Sequence, residues 1–153
     1  MNTLARTVDW FSLATPQPTP RDVQTQIGVH IEEVREMVLE LESVTVTGAD
    51  LLEAAQIALH NLAEYLKNSQ PGLVHVPAEK LQNFLDSLCD QIVTATGVGT
   101  YMHFKMVEAM DEVNYSNFSK FGEDGKPIRH PETNKILKGP YYVKPDLAAF
   151  LMR

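Results

Sequence analysis

The sequence predicts an all-α protein: a four-to-five-helix bundle followed by an irregular C-terminal tail. Three observations carry that expectation. Apolar residues recur at helical spacing in successive stretches between residues 20 and 118. Short polar breaks rich in Pro, Gly, Ser and Thr separate those stretches. Beyond residue 120 the periodicity is lost, and turn-forming strings such as EDGK and HPETNK take over. With 153 residues, 44% of them apolar, the chain is long enough for one domain with a real core. The expected organisation is a single domain over 1–153, with a helical core over 20–118 and a tail over 119–153.

Each element has its own warrant. Residues 1–20 contain the string ATPQPTP and read as a short segment leading into the first helix. That helix is expected over about 20–43. Thr19 can cap it, Pro20 suits the first position, and Asp22 completes a capping box. Ile27, Ile31, Val34, Val38 and Leu41 form its apolar stripe, with Gln26, Glu33, Met37 and Glu40 along one edge and Glu36 just beyond. The Ala- and Leu-rich run after Thr47 predicts a second helix over about 49–67, closed by SQPG.

A third helix is expected from Pro77 to about Ala95. Leu81, Phe84, Leu85, Leu88, Ile92 and Ala95 lie on one side, and Asp86, Asp90, Val93 and Gly97 on another. Burial of both sides is expected, as in the central helix of a bundle. A fourth helix, over about 98–118, carries Met102, Met106, Val107, Met110 and Val113. The remainder reads as an irregular tail or small hairpin.

Composition narrows the function. A net charge of −7 argues against a general nucleic-acid binder. No apolar run approaches the ~20 residues of a membrane span. The first residues make a poor secretory signal. Cys89 is the single cysteine, which excludes an intramolecular disulfide and a multi-Cys zinc site and points to a reducing cytoplasm. Cys89 and His30 read as core or near-core residues.

Two acidic pairs carry the chemistry. Glu33 and Glu36, and separately Asp86 and Asp90, stand one helical turn apart. Four carboxylates brought together repel unless a hard divalent cation sits between them, and Mg²⁺ or Mn²⁺ takes such oxygen ligands. The plain alternative is a solvated acidic face. Asn114, Asn117 and Lys120, at i, i+3 and i+6, place two amides and an ammonium on one helix face, a candidate phosphate clamp. Lys126, Arg129, Lys135, Lys138 and Lys144 follow. Trp10, flanked by Asp9 and Phe11, is a candidate to stack on a base, and Gln26 to bond a base edge. The alternative for Trp10 is a ring tucked against the first helix.

The runs EEVREM, LDSLCDQIVTATGVG, EVNYSNFSKFGEDGKPI and KGPYYVKPDL resemble the MazG-like all-α nucleoside triphosphate pyrophosphohydrolases, especially their short phage-type members. The resemblance spans about residues 8–147. It implies a helical bundle forming a homodimer or homotetramer, Mg²⁺ or Mn²⁺ as cofactor, and cleavage of a (deoxy)nucleoside triphosphate to the monophosphate and pyrophosphate. The host cytoplasm is the compartment it implies. Glu32, Glu33 and Glu36 match the family's EExxE motif. In the following ExxD motif Asp90 matches the Asp, Ser87 stands at the Glu position, and Asp86 lies one residue earlier. The ligand set expected is Glu33, Glu36, Asp86 and Asp90, with Glu32 or Glu36 to orient the attacking water and Glu53 in reserve. Asn114, Asn117, Lys120 and Lys138 would bind phosphates. dGTP is the first expectation for substrate. A house-cleaning activity on non-standard nucleotides, or a non-catalytic helical partner-binding protein, are the other readings.

Overall fold

The computed structural model of the chain describes residues 2–131 and 135–151. It is all-α among those residues, as expected. The helices are α1 Thr3–Ala14, α2 Pro20–Leu39, α3 Val46–Asn68, α4 Leu81–Tyr101 and α5 Met106–Phe118. An irregular tail follows α5. The chain divides into two compact units, Gln17–Lys80 and the combination of Met1–Pro16 with Leu81–Arg153.

The first unit in sequence order to close locally is the α2–α3 hairpin. The expected capping box opens α2: the Thr19 N–H donates to Asp22 Oδ2 at 2.8 Å, and the Asp22 N–H donates to Thr19 Oγ1 at 3.3 Å. The helix ends at Leu39, four residues short of expectation. Thr45, not Thr47, caps α3, accepting from the Gly48 N–H at 3.1 Å.

Gln24 binds the far end of α3. It is buried, its amide donates to Leu66 O and Ser69 Oγ at 3.0 Å each, and its Oε1 accepts from the Gly72 N–H at 2.9 Å. Arg21 donates to Ser69 O at 2.6 Å. One turn on, Gly28 lets the helices touch. A Cβ there would lie 2.9 Å from Lys67 Cγ and 3.0 Å from Leu66 Cβ. Lys67 then donates to Glu32 at 2.9 Å and pairs with Glu64 at 2.6 Å. Those contacts shift both partners. The Lys67 hydrogen bond and charge hold the Glu64 carboxyl below its ordinary value. The Glu64 and Glu32 hydrogen bonds raise the Lys67 ammonium above its own.

The second unit contains an unexpected helix. Residues 3–14 form α1, capped by the Asn2 side chain, which accepts from the Leu4 N–H at 3.0 Å. Rungs between α1 and α5 rise together: Thr3 to Asp111 at 3.1 Å, Thr7 to Asn114 at 2.9 Å, and Trp10 Nε1 to Asn117 O at 2.9 Å. The two helices therefore run parallel.

The tail returns along α5. The Val143 N–H donates to Ser119 Oγ at 2.8 Å, the Asp146 N–H to Glu112 at 3.2 Å, and the Lys105 N–H to Phe150 O at 3.0 Å. Two isolated bridges, Phe121 with Pro127 and Arg129 with Ile136, make the expected hairpin-like turns. Gly125, at φ 71°, supplies the left-handed residue of the first. Residues 132–134 of the HPETNK turn lie outside the described residues.

α4 departs most from expectation. It runs through Gly97 and Gly99 to Tyr101, and the break falls at Met102–Lys105, where His103 takes φ 61°. Gly99 serves close packing instead of helix termination: a Cβ there would collide with Met106 Sδ. Within its unit α4 meets α5 and no other helix. Gly99 is its one buried residue among those described, and Leu85, Val93 and Cys89 are exposed. The expected two-sided burial of this helix, and a core position for Cys89, are not found.

Two outcomes test the hairpin. Alanine normally stabilises a helix interior over glycine by about 1 kcal/mol. Gly28→Ala should do the opposite, lowering stability by about 1–3 kcal/mol through overpacking, as read by urea denaturation. Acid should also weaken this unit. A depressed carboxyl stabilises the fold above its unfolded value, near about 4.3, and that contribution is lost as pH falls through the folded value. The fall in melting temperature below about pH 4.3 should be shallower in Lys67→Met than in the natural chain.

Candidate functional site

The acidic residues come from two helices. Glu32, Glu33 and Glu36 lie on α2, and Asp86 and Asp90 on α4. All except Glu32 are exposed. For Asp86 and Asp90 this removes one expectation, that burial of unpaired charge would demand an ion. Their carboxylates face solvent one turn apart, on a helix that contains no Lys or Arg. Glu32 is half-buried and engaged with Lys67 at 2.9 Å. A carboxylate held by an ammonium is a poor base for water, so Glu36 is the better of the two expected candidates. Among the described residues no three His, Cys, Asp or Glu side chains converge to hold a metal ion. Glu53 lines a depression of about 340 Å³ with Leu52, Gln56 and the 41–43 loop.

The expected phosphate clamp divides. Asn114 is 1% exposed. Its Oδ1 accepts from Thr7 at 2.9 Å and its Nδ2 donates to Thr3 O at 3.0 Å. Both ends of the amide are consumed in joining α1 to α5, so Asn114 is a structural residue and not a phosphate ligand. Asn117 and Lys120 do come together: Lys120 Nζ donates to Asn117 Oδ1 at 2.7 Å. That bond positions the ammonium at the C-terminal end of α5. Lys138, exposed in the tail, lies over the Tyr142 ring with Nζ 4.8 Å from the centroid.

Trp10 belongs to the same end of α5. Its ring stacks on Phe121 at 5.9 Å and 11°, meets Phe11 edge-on at 4.9 Å, and has Lys120 Nζ 5.8 Å from its centre. Its N–H is donated to Asn117 O. The ring is thus part of the packing between α1, α5 and the tail, and these partners are not the helix over 20–43 that the alternative reading named. Gln26 is exposed on α2. Neighbouring Gln24, not singled out from the sequence, is the glutamine with a committed amide.

The sequence reading also passed over Arg6 and Asp9. With Ser12 and Leu13 they occupy one face of α1, at i, i+3, i+6 and i+7, and with Phe118 they line an open surface depression of about 500 Å³. That spacing was available as a signal, but only once residues 3–14 are read as a helix. Arg6 is 3.7 Å from Asp111 and 6.0 Å from the Phe118 ring centre.

No protein-family model matches the chain, and neither curated proteins nor solved structures give a match.

Burial and bonding assign Asn114 to the fold. Asn114→Ala should cost about 1–3 kcal/mol by removing both hydrogen bonds that this buried amide makes to α1. Chemical denaturation reads this directly, and an unchanged midpoint would return Asn114 to the ligand candidates.

Proposed function

We propose that this chain is a metal-dependent nucleoside triphosphate pyrophosphohydrolase of the MazG-like all-α type. It converts a (deoxy)nucleoside triphosphate, dGTP first, to the monophosphate and pyrophosphate. One observation carries the reading above the others: Asp86 and Asp90 stand exposed one turn apart on a 21-residue helix with no basic residue. The Glu33 and Glu36 pair on α2 and the Lys120–Asn117 pair on α5 support it.

Magnesium is commonly held by one or two carboxylates, with waters and substrate phosphates completing its octahedron. Each acidic pair meets that donor count by itself, although among the described residues neither is part of a larger cluster. Glu33, Glu36, Asp86 and Asp90 are the residues that would hold Mg²⁺ or Mn²⁺. Such an ion supplies charge neutralisation on a triphosphate and acidifies water. The remaining work falls to the chain. Lys120, fixed by Asn117, binds phosphate oxygens as a point charge, and Lys138 adds a second from the tail. Glu36 orients the attacking water.

The family reading includes a homodimer or homotetramer. It is supported by the apolar side chains of α4, such as Leu85 at 62% and Val93 at 67% exposure, which need cover from outside their own unit. The same exposure favours the second reading, a helical protein that binds a partner without catalysis. Action on non-standard nucleotides is the other substrate class for the enzyme. No described helix is long and apolar enough to cross a membrane. A cytoplasmic setting belongs to the same reading.

Glu36→Gln and Asp90→Asn should each lower pyrophosphate release by at least about a hundredfold, with helix content by circular dichroism unchanged. The natural chain should melt higher with Mn²⁺ plus a triphosphate, gaining about 2.7 kcal/mol at a hundredfold excess over Kd. A chain with neither turnover nor a melting shift is the binding protein instead.

A further inference from the structure

We infer that Trp10 is the positioning residue of the phosphate-binding ammonium, holding Lys120 where a pyrophosphate group can take it. The inference rests on the hydrolase reading above, in which Lys120 meets phosphate, and adds a residue to which that reading gives no part. Trp10 is the one tryptophan of the chain. It grips the turn that leaves α5 at two places. Its indole N–H donates to Asn117 O at 2.9 Å, and its face stacks on Phe121 at 5.9 Å and 11°. Phe121 is 6% exposed, so the ring rests on a fixed support. Phe11 meets the ring edge-on at 4.9 Å.

Lys120 lies between those two grips in sequence. Its backbone N–H donates to Asn117 O at 3.2 Å, the same carbonyl that Trp10 holds. Its ammonium donates to Asn117 Oδ1 at 2.7 Å and stands 5.8 Å from the centre of an indole ring face. Asn117 is thus held by Trp10 and in turn holds both ends of Lys120. The ring adds its own attraction, since an aromatic face draws a cation within about 6 Å. Lys120 is half-exposed, which leaves its side chain within reach of an anion from solvent.

The advantage lies in what binding no longer has to order. A lysine on a flexible four-carbon stem loses rotamer freedom when it closes on a phosphate. Lys120 has lost much of that freedom in the folded chain, so less is lost on binding. Tryptophan suits the role because one rigid ring carries both a face for the cation and a donor for the carbonyl. Phenylalanine has the face alone, and leucine has neither. Simple packing would require only bulk at position 10 and would leave Lys120 indifferent to the choice.

Calorimetry of the full chain with inorganic pyrophosphate and Mg²⁺ tests the link through a double-mutant cycle. Trp10→Phe should weaken binding by about twofold to tenfold, and Trp10→Leu by more, with helix content by circular dichroism unchanged. In a Lys120→Met background, itself weaker, Trp10→Phe should change nothing further. Equal effects in the two backgrounds would mark a packing role and overturn the inference. The natural chain supplies a second readout that needs no change at position 10. Pyrophosphate drawn to the ammonium brings charge beside the indole, so the single tryptophan's emission should change saturably, and should not do so in Lys120→Met. Binding that is lost in Lys120→Met yet leaves the emission of the natural chain unchanged removes Trp10 and keeps Lys120 as the ligand. Binding indifferent to Lys120→Met removes both. Pyrophosphate release from a triphosphate, assayed separately, reports on the hydrolase itself.

Discussion

The unit built from α1, α4, α5 and the tail depends on one buried amide. Asn114 donates to the chain of α1 and accepts from a hydroxyl of α1, and water does not reach it. A buried amide satisfied at both ends has one acceptable position, because sliding either helix by a residue would strand a donor and an acceptor. The register so fixed brings Trp10 to Asn117 and Phe121, and lays Arg6, Asp9 and Ser12 opposite Phe118. Apolar contact alone would tolerate several registers. The amide selects the one in which Trp10 meets Asn117 and Phe121.

The α2–α3 hairpin reaches specificity by other means. Gln24 plays the equivalent polar part near one end, but Gly28 sets how closely the helices approach, and Lys67 spans them with its chain packed and its ammonium shared between two glutamates. The packing and the charge pair are linked. A wider separation would carry Lys67 Nζ away from Glu32 and leave the carboxylate half-buried and alone. Glu32 therefore belongs to the folding of the hairpin, whereas Glu33 and Glu36 are exposed on the same helix.

Much of the helical plan was legible because its signals are local. The Thr19–Asp22 box and the SQPG stop depend only on neighbours in sequence. α1 was missed because the prolines at 16, 18 and 20 drew attention to breaks, while the features that hold it, Thr3, Thr7 and Trp10, bond to residues of α5. The α4–α5 boundary was misplaced because a glycine signals either an end or a close contact, and Gly99 is the latter. The candidate site was less legible. Asn114, Asn117 and Lys120 share a helical face, yet one is sealed and two are half-exposed. Sequence spacing gives direction around a helix but not what lies opposite. The same limit applied to Asp86 and Asp90, whose environment depended on whether α4 was covered.

The parallel pairing of α1 with α5 has a consequence for synthesis. Thr7 and Asn114 are 107 residues apart, so α1 leaves the ribosome long before its mate is translated. The hairpin of residues 17–80 has been translated in the interval, with the Gln24 and Lys67 ties that join α2 to α3. A helix of 12 residues is marginal alone in water. The nascent α1 segment therefore waits largely unstructured, and its pairing with α5 forms only after Asn114 and Asn117 emerge.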